Sequence, residues 1–226
     1  MADEQRVSMQ PRCRDGSIGR RLQVVSFLLL AVLLASCSPQ DVPRDPYEVR
    51  PLLSGMTAPA FSAPGSDGHT YVFEPGEAEK PLVVTFYRGG WCPYCSKQLM
   101  AYRGVEERLI DMGYEVIFIS PDLPHVSARH LGEGDASFTL LSDSDMAISK
   151  AFGLAFRLDD ETFDRYVGEY GFDLEGDSGQ IHHYLPVPAT YLIGTDGVIR
   201  FMYANPDYKV RLDPQVLEAA ARAALK

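Results

Sequence analysis

The amino-acid sequence predicts an α/β fold in which helices flank a mixed central sheet. Two observations predict it: a β-α-β unit in the middle of the chain, and a β-hairpin followed by a last helix in its C-terminal part. A β-α-β unit joins parallel strands, whereas a hairpin joins antiparallel ones. The two units together therefore predict a sheet whose strands run in both directions.

The β-α-β unit begins at residues 82–87, a continuous run of apolar and β-branched side chains. Such a run is typical of a strand that is buried on both faces of a sheet. A turn over residues 88–91 leads into a helix that Gly113 ends, and residues 114–120 are the second predicted strand. Apolar side chains recur at helical spacing between the two strands, at Leu99, Tyr102, Leu109 and Met112.

The hairpin consists of two apolar runs, residues 189–193 and 198–203, joined by a turn that contains Asp-Gly. Asp213 as N-cap and Pro214 at the first helical position open the last helix. Two shorter helices are predicted at residues 144–152 and 160–170. The rest of the stretch between them and the hairpin is polar and rich in Gly and Asp, and it carries little periodic pattern.

Composition excludes several classes of protein. The chain has 226 residues and a formal net charge of −10, so it lacks the basic surface with which proteins bind nucleic acid. Four cysteines are too few for a disulfide-rich scaffold. The length fits one domain plus an extension.

The N-terminal segment has the layout of a secretory signal. Several arginines precede an apolar run, residues 24–35, that is too short to span a bilayer. The run ends in Leu-Ala-Ser-Cys, which resembles the lipobox of bacterial lipoproteins, where the lipid is attached to the cysteine, here Cys37. We therefore expect a signal peptide at residues 1–36, a lipidated and Pro-rich tether without packed structure at 37–51, and the folded domain at 52–226.

This resemblance implies a lipoprotein of the cell envelope that faces the periplasm and is held in the membrane by its lipid. Ser38 after the cysteine resembles an outer-membrane sorting signal. Cys13 leaves with the signal, so the mature chain keeps only two thiols, Cys92 and Cys95. A disulfide that closes so small a loop contributes little stability, so the CxxC pair predicts a redox role.

A CxxC pair at the point where a buried strand turns into a helix favours a thiolate, because the helix N-terminus stabilises negative charge. With the residues around it, the pair resembles the active-site loop of the peroxiredoxin-like (AhpC/TSA) branch of the thioredoxin superfamily. The resemblance covers about residues 52–212 and implies a thioredoxin-like fold. It is carried by four segments, residues 55–61, 86–95, 140–143 and 187–190.

The resemblance implies a thiol peroxidase with Cys95 on the peroxidatic position and Cys92 as the resolving thiol. Peroxide would oxidise one thiol to a sulfenic acid, which condenses with the other to a disulfide that an external, thioredoxin-like periplasmic dithiol reduces. Arg88 is the nearby cation expected to stabilise thiolate and peroxide. Trp91 and Tyr87 are expected to line the pocket.

The site also departs from the family pattern. Cys92 stands where typical peroxiredoxins have threonine or serine, and the arginine expected beside a later strand is replaced by Pro188. The buried acid of thioredoxins falls at about Thr85. Val187 and Pro188 match the loop that faces the CxxC pair in thioredoxins, which implies a cis peptide bond before Pro188.

Two other functions use the same residues. In a periplasmic thiol-disulfide oxidoreductase, Cys92 attacks a protein disulfide and Pro188 shapes the peptide-binding groove. In a metal carrier, the two thiols bind the ion with His182 or His183. The simpler interpretation of these histidines is that they are solvated side chains at the edge of a loop. The sequence indicates no cofactor and no resident metal.

Overall fold

The computed structural model of the chain describes residues 42–130 and 138–225, so the expected signal peptide and Cys37 lie outside the described part. Within those ranges, no helix has both the length and the apolar character needed to cross a membrane. The strands are β1 Phe61–Pro64, β2 Thr70–Phe73, β3 Leu82–Phe86, β4 Glu115–Ser120, β5 Thr139–Ser142, β6 Ala155–Arg157, β7 Tyr184–Pro186, β8 Ala189–Ile193 and β9 Ile199–Ala204. The helices are α1 Pro93–Asp111, α2 Pro124–His130, α3 Ala147–Ala151, α4 Asp160–Gly168, α5 Leu174–Ser178 and α6 Pro214–Ala224.

The central sheet has five strands in the order β5-β4-β3-β8-β9. Strand β3 pairs in parallel with β4 and antiparallel with β8, so Val84 lies between Ile117 on one side and Tyr191 on the other. Strands β8 and β9 form the predicted hairpin. The prediction of a mixed sheet built from a β-α-β unit and a hairpin is confirmed.

Alternate side chains of β3 point to opposite faces of the sheet, and each face carries its own apolar core. Val84 and Phe86 belong to the core under β1, β2 and the segment that joins β5 to β8. Val83 belongs to the core under α1 and α6, with Tyr102 and Leu217. The strand is buried along its whole length, which explains why it contains no polar alternation.

Helix α1 begins directly after Cys92, which is its N-cap, and Pro93 occupies the first helical position. Proline suits this position because its missing N–H would have had no partner inside the helix. Gly113, with φ of +93°, ends the helix as predicted. The sequence around the CxxC pair therefore places Cys92 at the N-cap and Cys95 in the first turn of a helix that follows a central strand.

The segment between α3 and β8 carries little periodic pattern in its sequence. The predicted helix at 160–170 is confirmed as α4, whose N-cap Asp159 accepts a hydrogen bond from the Thr162 amide at 2.8 Å. Strands β6 and β7 form a two-stranded antiparallel ribbon that the sequence did not predict. The segment also packs on the active-site loop, because the Trp91 ring lies 5.0 Å from that of Phe172.

Residues 42–51 are packed against the domain, so the prediction of an unpacked tether is wrong for this part of it. Arg157 donates its amide to the Pro43 carbonyl at 2.8 Å, and Arg50 donates to the Gly153 carbonyl at 3.1 Å. A short 3-10 turn, Pro46–Glu48, lies between these bonds. Proline-rich composition predicted an extended chain, but an extended chain can also pair its backbone with an exposed strand.

Candidate active site

The two thiols lie where β3 turns into α1. Cys92 is 1% exposed and Cys95 is fully buried, and both are free thiols. The N-terminal amides of a helix carry partial positive charge, which stabilises a nearby thiolate. The predicted site residues Cys92 and Cys95 are therefore brought together at a place that suits redox chemistry.

The pKa values of the two thiols are displaced in opposite directions. A hydrogen bond from the Cys95 thiol, together with the positive charge of Arg88, lowers the pKa of Cys92 to about 6 against the cost of burial. Burial, followed by the interaction with Cys92, raises the pKa of Cys95. At neutral pH the pair therefore holds one thiolate, on Cys92, and one neutral thiol, on Cys95.

Which thiol attacks stays a prediction. The alignment with typical peroxiredoxins favours Cys95, whereas the charge distribution favours Cys92, since the thiolate is the nucleophilic form. Cys92 also precedes the helix, where the N-terminal partial charge is largest. We adopt the order in which Cys92 attacks and Cys95 resolves.

Arg88 is buried beside the thiols, 2% exposed. Its Nη2 donates to the Tyr166 hydroxyl at 2.8 Å, and its guanidinium lies 4.1 Å from the centre of the Tyr208 ring. Within the described residues its Nε has no hydrogen-bond partner. The expectation of a cation at this position agrees with the structure, which also shows that aromatic rings hold it in place.

Arg211 is a second cation at the site, and sequence reasoning missed it. Its Nη2 donates to Cys95 Sγ at 3.2 Å, Nη1 donates to Gln98 at 2.9 Å, and Nε donates to the Tyr208 carbonyl at 2.7 Å. Three bonds leave the guanidinium little freedom. Closeness in sequence indicated Arg88 alone, because Arg211 reaches the site from the segment between β9 and α6, far along the chain.

Asp122 is a buried acid beside the active-site loop, also missed from sequence. It follows β4, is 1% exposed, and accepts a hydrogen bond from the Gly90 amide at 2.7 Å. Burial raises its pKa to about 7. Its carboxyl thus holds the Gly89-Gly90 turn that leads to Cys92. Its position directly after a buried strand is the feature of the sequence that could have indicated a place near the site.

Thr85 occupies the position of the buried acid of thioredoxins. Its hydroxyl lies 3.2 Å from that of Thr190, which in turn lies 3.3 Å from the Tyr102 hydroxyl. The position is thus filled by a neutral hydrogen-bonded chain of hydroxyls. It supplies no carboxyl group for proton transfer.

The loop at Val187 and Pro188 reaches the site but has no cis bond. None of the described residues has a cis peptide bond, so that prediction is wrong. The chain runs extended from β7 into β8, with Val187 donating to the Leu154 carbonyl at 2.9 Å and Pro188 accepting from Asn205 at 3.2 Å. A trans bond continues this extended path, and it is the lower-energy form for X-Pro.

Trp91 and Tyr87, the two aromatic residues expected to line the pocket, lie in different surroundings. Trp91 is half-buried, and its ring lies 5.8 Å from that of Tyr166, on the same side as Arg88. Tyr87 lies instead in the core under α1, where its ring is 6.2 Å from Phe118. Of the two residues expected to line the pocket, Trp91 thus lies beside Arg88 and Tyr87 packs beneath the site.

The imidazole rings of His182 and His183 are engaged in hydrogen bonds to other groups of the protein. His182 bonds the Ser144 carbonyl at 2.8 Å, and His183 bonds Glu175 at 2.7 Å while stacking 3.7 Å from the Phe163 ring. In residues 42–130 and 138–225, no three His, Cys, Asp or Glu side chains are grouped closely enough to hold a metal ion. The metal-carrier interpretation gains no support from this geometry.

Comparison with known proteins places the chain in a family. The sequence profile of the AhpC/TSA family matches residues 54–202, which include the CxxC pair. The chain belongs to the AhpC/TSA family. The predicted resemblance and the expectation of a peroxiredoxin-like thiol enzyme are thereby confirmed at the level of the family.

Individual relatives within this family are peroxiredoxins. The chain is 30% identical over 151 residues to the chloroplastic peroxiredoxin Q of Populus jackii, covering 67% of this chain and 60% of the relative. It is 30% identical over 174 residues to that of Suaeda salsa, covering 76% and 70%. With peroxiredoxin Bcp of Escherichia coli K12 it shares 33% over 106 residues, covering 47% and 67%. The chain thus spans less than two thirds of the length of the Populus relative.

Solved structures confirm the thioredoxin-like fold. The peroxidoxin BcpB of Mycobacterium tuberculosis matches with a TM-score of 0.59 at 18% identity, covering 76% of this chain and 97% of that one. Peroxiredoxin Q of Xanthomonas campestris matches with a TM-score of 0.58 at 19% identity, covering 79% and 99%. A thiol:disulfide interchange protein DsbE of Chlorobium tepidum also matches, at 0.53 and 18%, covering 77% and 99%. At these identities the likeness describes the fold alone.

The lowered pKa of Cys92 predicts the pH at which the protein becomes reactive. Alkylation of the reduced protein by iodoacetamide should follow thiolate formation, with a midpoint near pH 6, and the rate should fall as pH drops below it. Cys95→Ala removes the hydrogen bond that contributes most to the lowering, so the midpoint should move upward. The ultraviolet absorbance of the thiolate gives the same midpoint independently. A midpoint at the ordinary value of a free cysteine, about 8.5, would contradict the assignment.

Proposed function

We propose that this protein is a thiol peroxidase that reduces hydroperoxides with the Cys92–Cys95 pair. The observation that carries the proposal is the thiolate of Cys92, which lies at a helix N-terminus beside Arg88 with the neutral Cys95 thiol in contact with it. A thiolate and an adjacent second thiol are what a sulfenic acid-to-disulfide cycle requires. Membership of the AhpC/TSA family supports the same reaction.

In the first step, the Cys92 thiolate attacks the terminal oxygen of the hydroperoxide. An S–O bond forms and the O–O bond breaks, so Cys92 becomes a sulfenic acid while the leaving oxygen takes a proton and departs as water or an alcohol. The guanidinium of Arg88 is placed to stabilise the negative charge that develops on the leaving oxygen. Sulfur is oxidised by two electrons, and the peroxide is reduced by two.

The second step requires Cys95 to lose its proton. Burial and, after it, the Cys92 thiolate raise the pKa of Cys95 and keep its proton in place in the resting enzyme; oxidation of Cys92 removes the second of these causes. Arg211, 3.2 Å from Cys95 Sγ, then favours the Cys95 thiolate. Attack of this thiolate on the sulfenic sulfur forms the disulfide and releases the oxygen as water. An external dithiol of the thioredoxin type returns the pair to its reduced state.

The same residues would support thiol-disulfide exchange, and one observation favours this second candidate. Pro188 borders the cavity that Arg88 lines, and in a disulfide reductase that position would contact a peptide. In this function Cys92 attacks a protein disulfide in place of a peroxide. The two candidates therefore differ only in the electrophile.

We place the protein in the cell envelope as a lipoprotein anchored through Cys37, with residues 1–36 removed. The apolar run and the Leu-Ala-Ser-Cys sequence support this placement. In this location the reductant would be a periplasmic dithiol, and the substrate would be a peroxide that reaches the cell envelope. The mass of the N-terminal peptide of the mature protein tests the placement, since lipidation would leave Cys37 first and modified.

Mixing the reduced protein with hydrogen peroxide under stopped flow distinguishes the two candidate functions. Trp91 is the single tryptophan, so its fluorescence reports the site directly. We expect oxidation at least about 100-fold faster than that of a free thiol at the same pH, with one disulfide formed per peroxide consumed. Slow oxidation together with rapid reduction of insulin disulfides would instead establish an oxidoreductase.

A further inference from the structure

A cavity of about 140 Å³ opens beside the active site, and hydrogen peroxide alone would not fill it. We call it the arginine cavity. Its walls come from the active-site loop, from the segment that runs from β6 through α4, from Pro188, from the stretch after β9 and from residues 42–51. The side chains that matter below are Arg44, Arg88, Phe156, Tyr166, Pro188 and Tyr208.

The arginine cavity is lined by two guanidinium groups, of Arg44 and Arg88, and by one carboxylate, of Asp159. Arg88 is buried, and within the described residues neither it nor Arg44 has an ion pair. Asp159 accepts hydrogen bonds from the Thr162 amide and hydroxyl at 2.8 and 2.7 Å, which lower the pKa of its carboxyl group and keep it charged. Two cations against one carboxylate give the cavity lining an excess of positive charge, in a chain whose net charge is −10.

The free hydrogen-bonding capacity of Arg88 points to an acceptor that comes from outside. Its Nε is buried without a partner among the described residues, and only its Nη2 is bonded, to Tyr166. A buried guanidinium with an unsatisfied donor is costly unless a charged acceptor meets it. Planar N–H groups of arginine match a carboxylate well.

The remaining walls favour an apolar and flat body. Rings of Tyr166 and Tyr208 lie 5.2 and 4.1 Å from the Arg88 guanidinium carbon, and Phe156 and Pro188 add apolar surface. A protein cavity of about 150 Å³ is large enough to hold benzene. The volume of the arginine cavity therefore fits one six-membered ring, which is far larger than hydrogen peroxide.

We propose that the arginine cavity binds a small organic anion, with its carboxylate on Arg88 and an apolar body of about the size of benzene against the apolar walls that Phe156 and Pro188 provide. In the reduced protein the Cys92 thiolate already neutralises part of the charge of Arg88, because the two attract each other. In the disulfide that negative charge is gone. The anion therefore binds more tightly to the oxidised protein and, by linkage, stabilises the disulfide.

Fluorescence of Trp91, whose ring lies 5.2 Å from the Arg88 guanidinium carbon, measures this binding without any peroxide. The full chain is titrated with benzoate and with benzyl alcohol, which has the same ring but no charge. We expect saturable binding of benzoate with a dissociation constant roughly tenfold lower than that of benzyl alcohol. We also expect benzoate to bind about fivefold or more tightly to the disulfide form. Equal affinities for the two compounds, or for the two redox states, would overturn the proposal.

Arg44 offers a variant outside the reaction chemistry. It is exposed and borders the cavity, so Arg44→Gln should weaken benzoate binding about threefold. Arg50 is an exposed arginine of the same segment and does not border the cavity, so Arg50→Gln should leave binding unchanged. Identical effects of the two substitutions would contradict the assigned site.

The proposal depends on the proposed function only in taking Cys92 and Cys95 as the redox pair. Benzoate binding and peroxide reduction are measured separately, so one can fail without the other. Slow reaction with peroxide would remove the peroxidase assignment while leaving the anion site intact. Absence of saturable benzoate binding would remove the site while leaving the peroxidase assignment intact.

Discussion

Cys92→Ser is expected to lower the second-order rate constant for hydrogen peroxide by at least about a thousandfold. Serine keeps the size of the side chain, but its hydroxyl does not ionise near neutral pH, so the site loses its nucleophile. Stopped-flow fluorescence of Trp91 gives the rate constant, and peroxide consumption checks it. The loss should be the same at every pH at which the wild-type protein reacts.

Cys95→Ser is the matched control for this prediction. The serine hydroxyl can still donate a hydrogen bond to the Cys92 thiolate, so the first oxidation should persist at a rate within about tenfold of wild type. Turnover should stop at the sulfenic acid, because no second thiol is present to form the disulfide. Loss of the first oxidation in Cys95→Ser, with retention in Cys92→Ser, would mean that Cys95 attacks, as the alignment with typical peroxiredoxins predicts.

Gly89→Ala is expected to lower the free energy of unfolding by about 2–4 kcal/mol and to slow oxidation of Cys92. Gly89 has a φ of +139°, which L side chains rarely adopt. A Cβ at this position would also collide with the indole nitrogen of Trp91 and lie 2.7 Å from Asp122 Oδ1. Chemical denaturation and the stopped-flow rate measure the two effects.

Gly104→Ala provides the comparison for Gly89→Ala. Gly104 lies within α1, and a Cβ there meets no atom within 4 Å. Alanine is the better helix former, so this substitution should raise stability by about 0.5–1 kcal/mol and leave oxidation unchanged. A Gly89→Ala protein as stable as wild type would show that the turn before Cys92 tolerates a side chain.

The parts of the fold with strong local patterns could be predicted from the sequence. The buried run at 82–87 and the helix that follows it agree with β3 and α1, and the Asp-Gly turn agrees with the hairpin of β8 and β9. Strands β6 and β7 were missed because three residues are too few to show an alternating pattern. The packed part of the tether was missed because its partners are backbone groups of β6 and Gly153, which no side-chain pattern reveals.

The same limit applies to the site. The CxxC pair and Arg88 are close in sequence, so their meeting could be predicted. Arg211 and Asp122 arrive from other elements, and only the folded chain shows that they touch Cys95 and Gly90. The cis bond expected before Pro188 was an inference from resemblance, and the extended backbone from β7 to β8 has no need of it.

Trapping of the sulfenic acid tests the central claim most directly. The reduced full chain is exposed to one equivalent of hydrogen peroxide in the presence of dimedone, which reacts with sulfenic acids and not with thiols. The modified residue is then located by peptide mass spectrometry in wild type, Cys92→Ser and Cys95→Ser. The account predicts dimedone on Cys92, most abundantly in Cys95→Ser, and none in Cys92→Ser. Dimedone on Cys95 in the wild-type protein would contradict it.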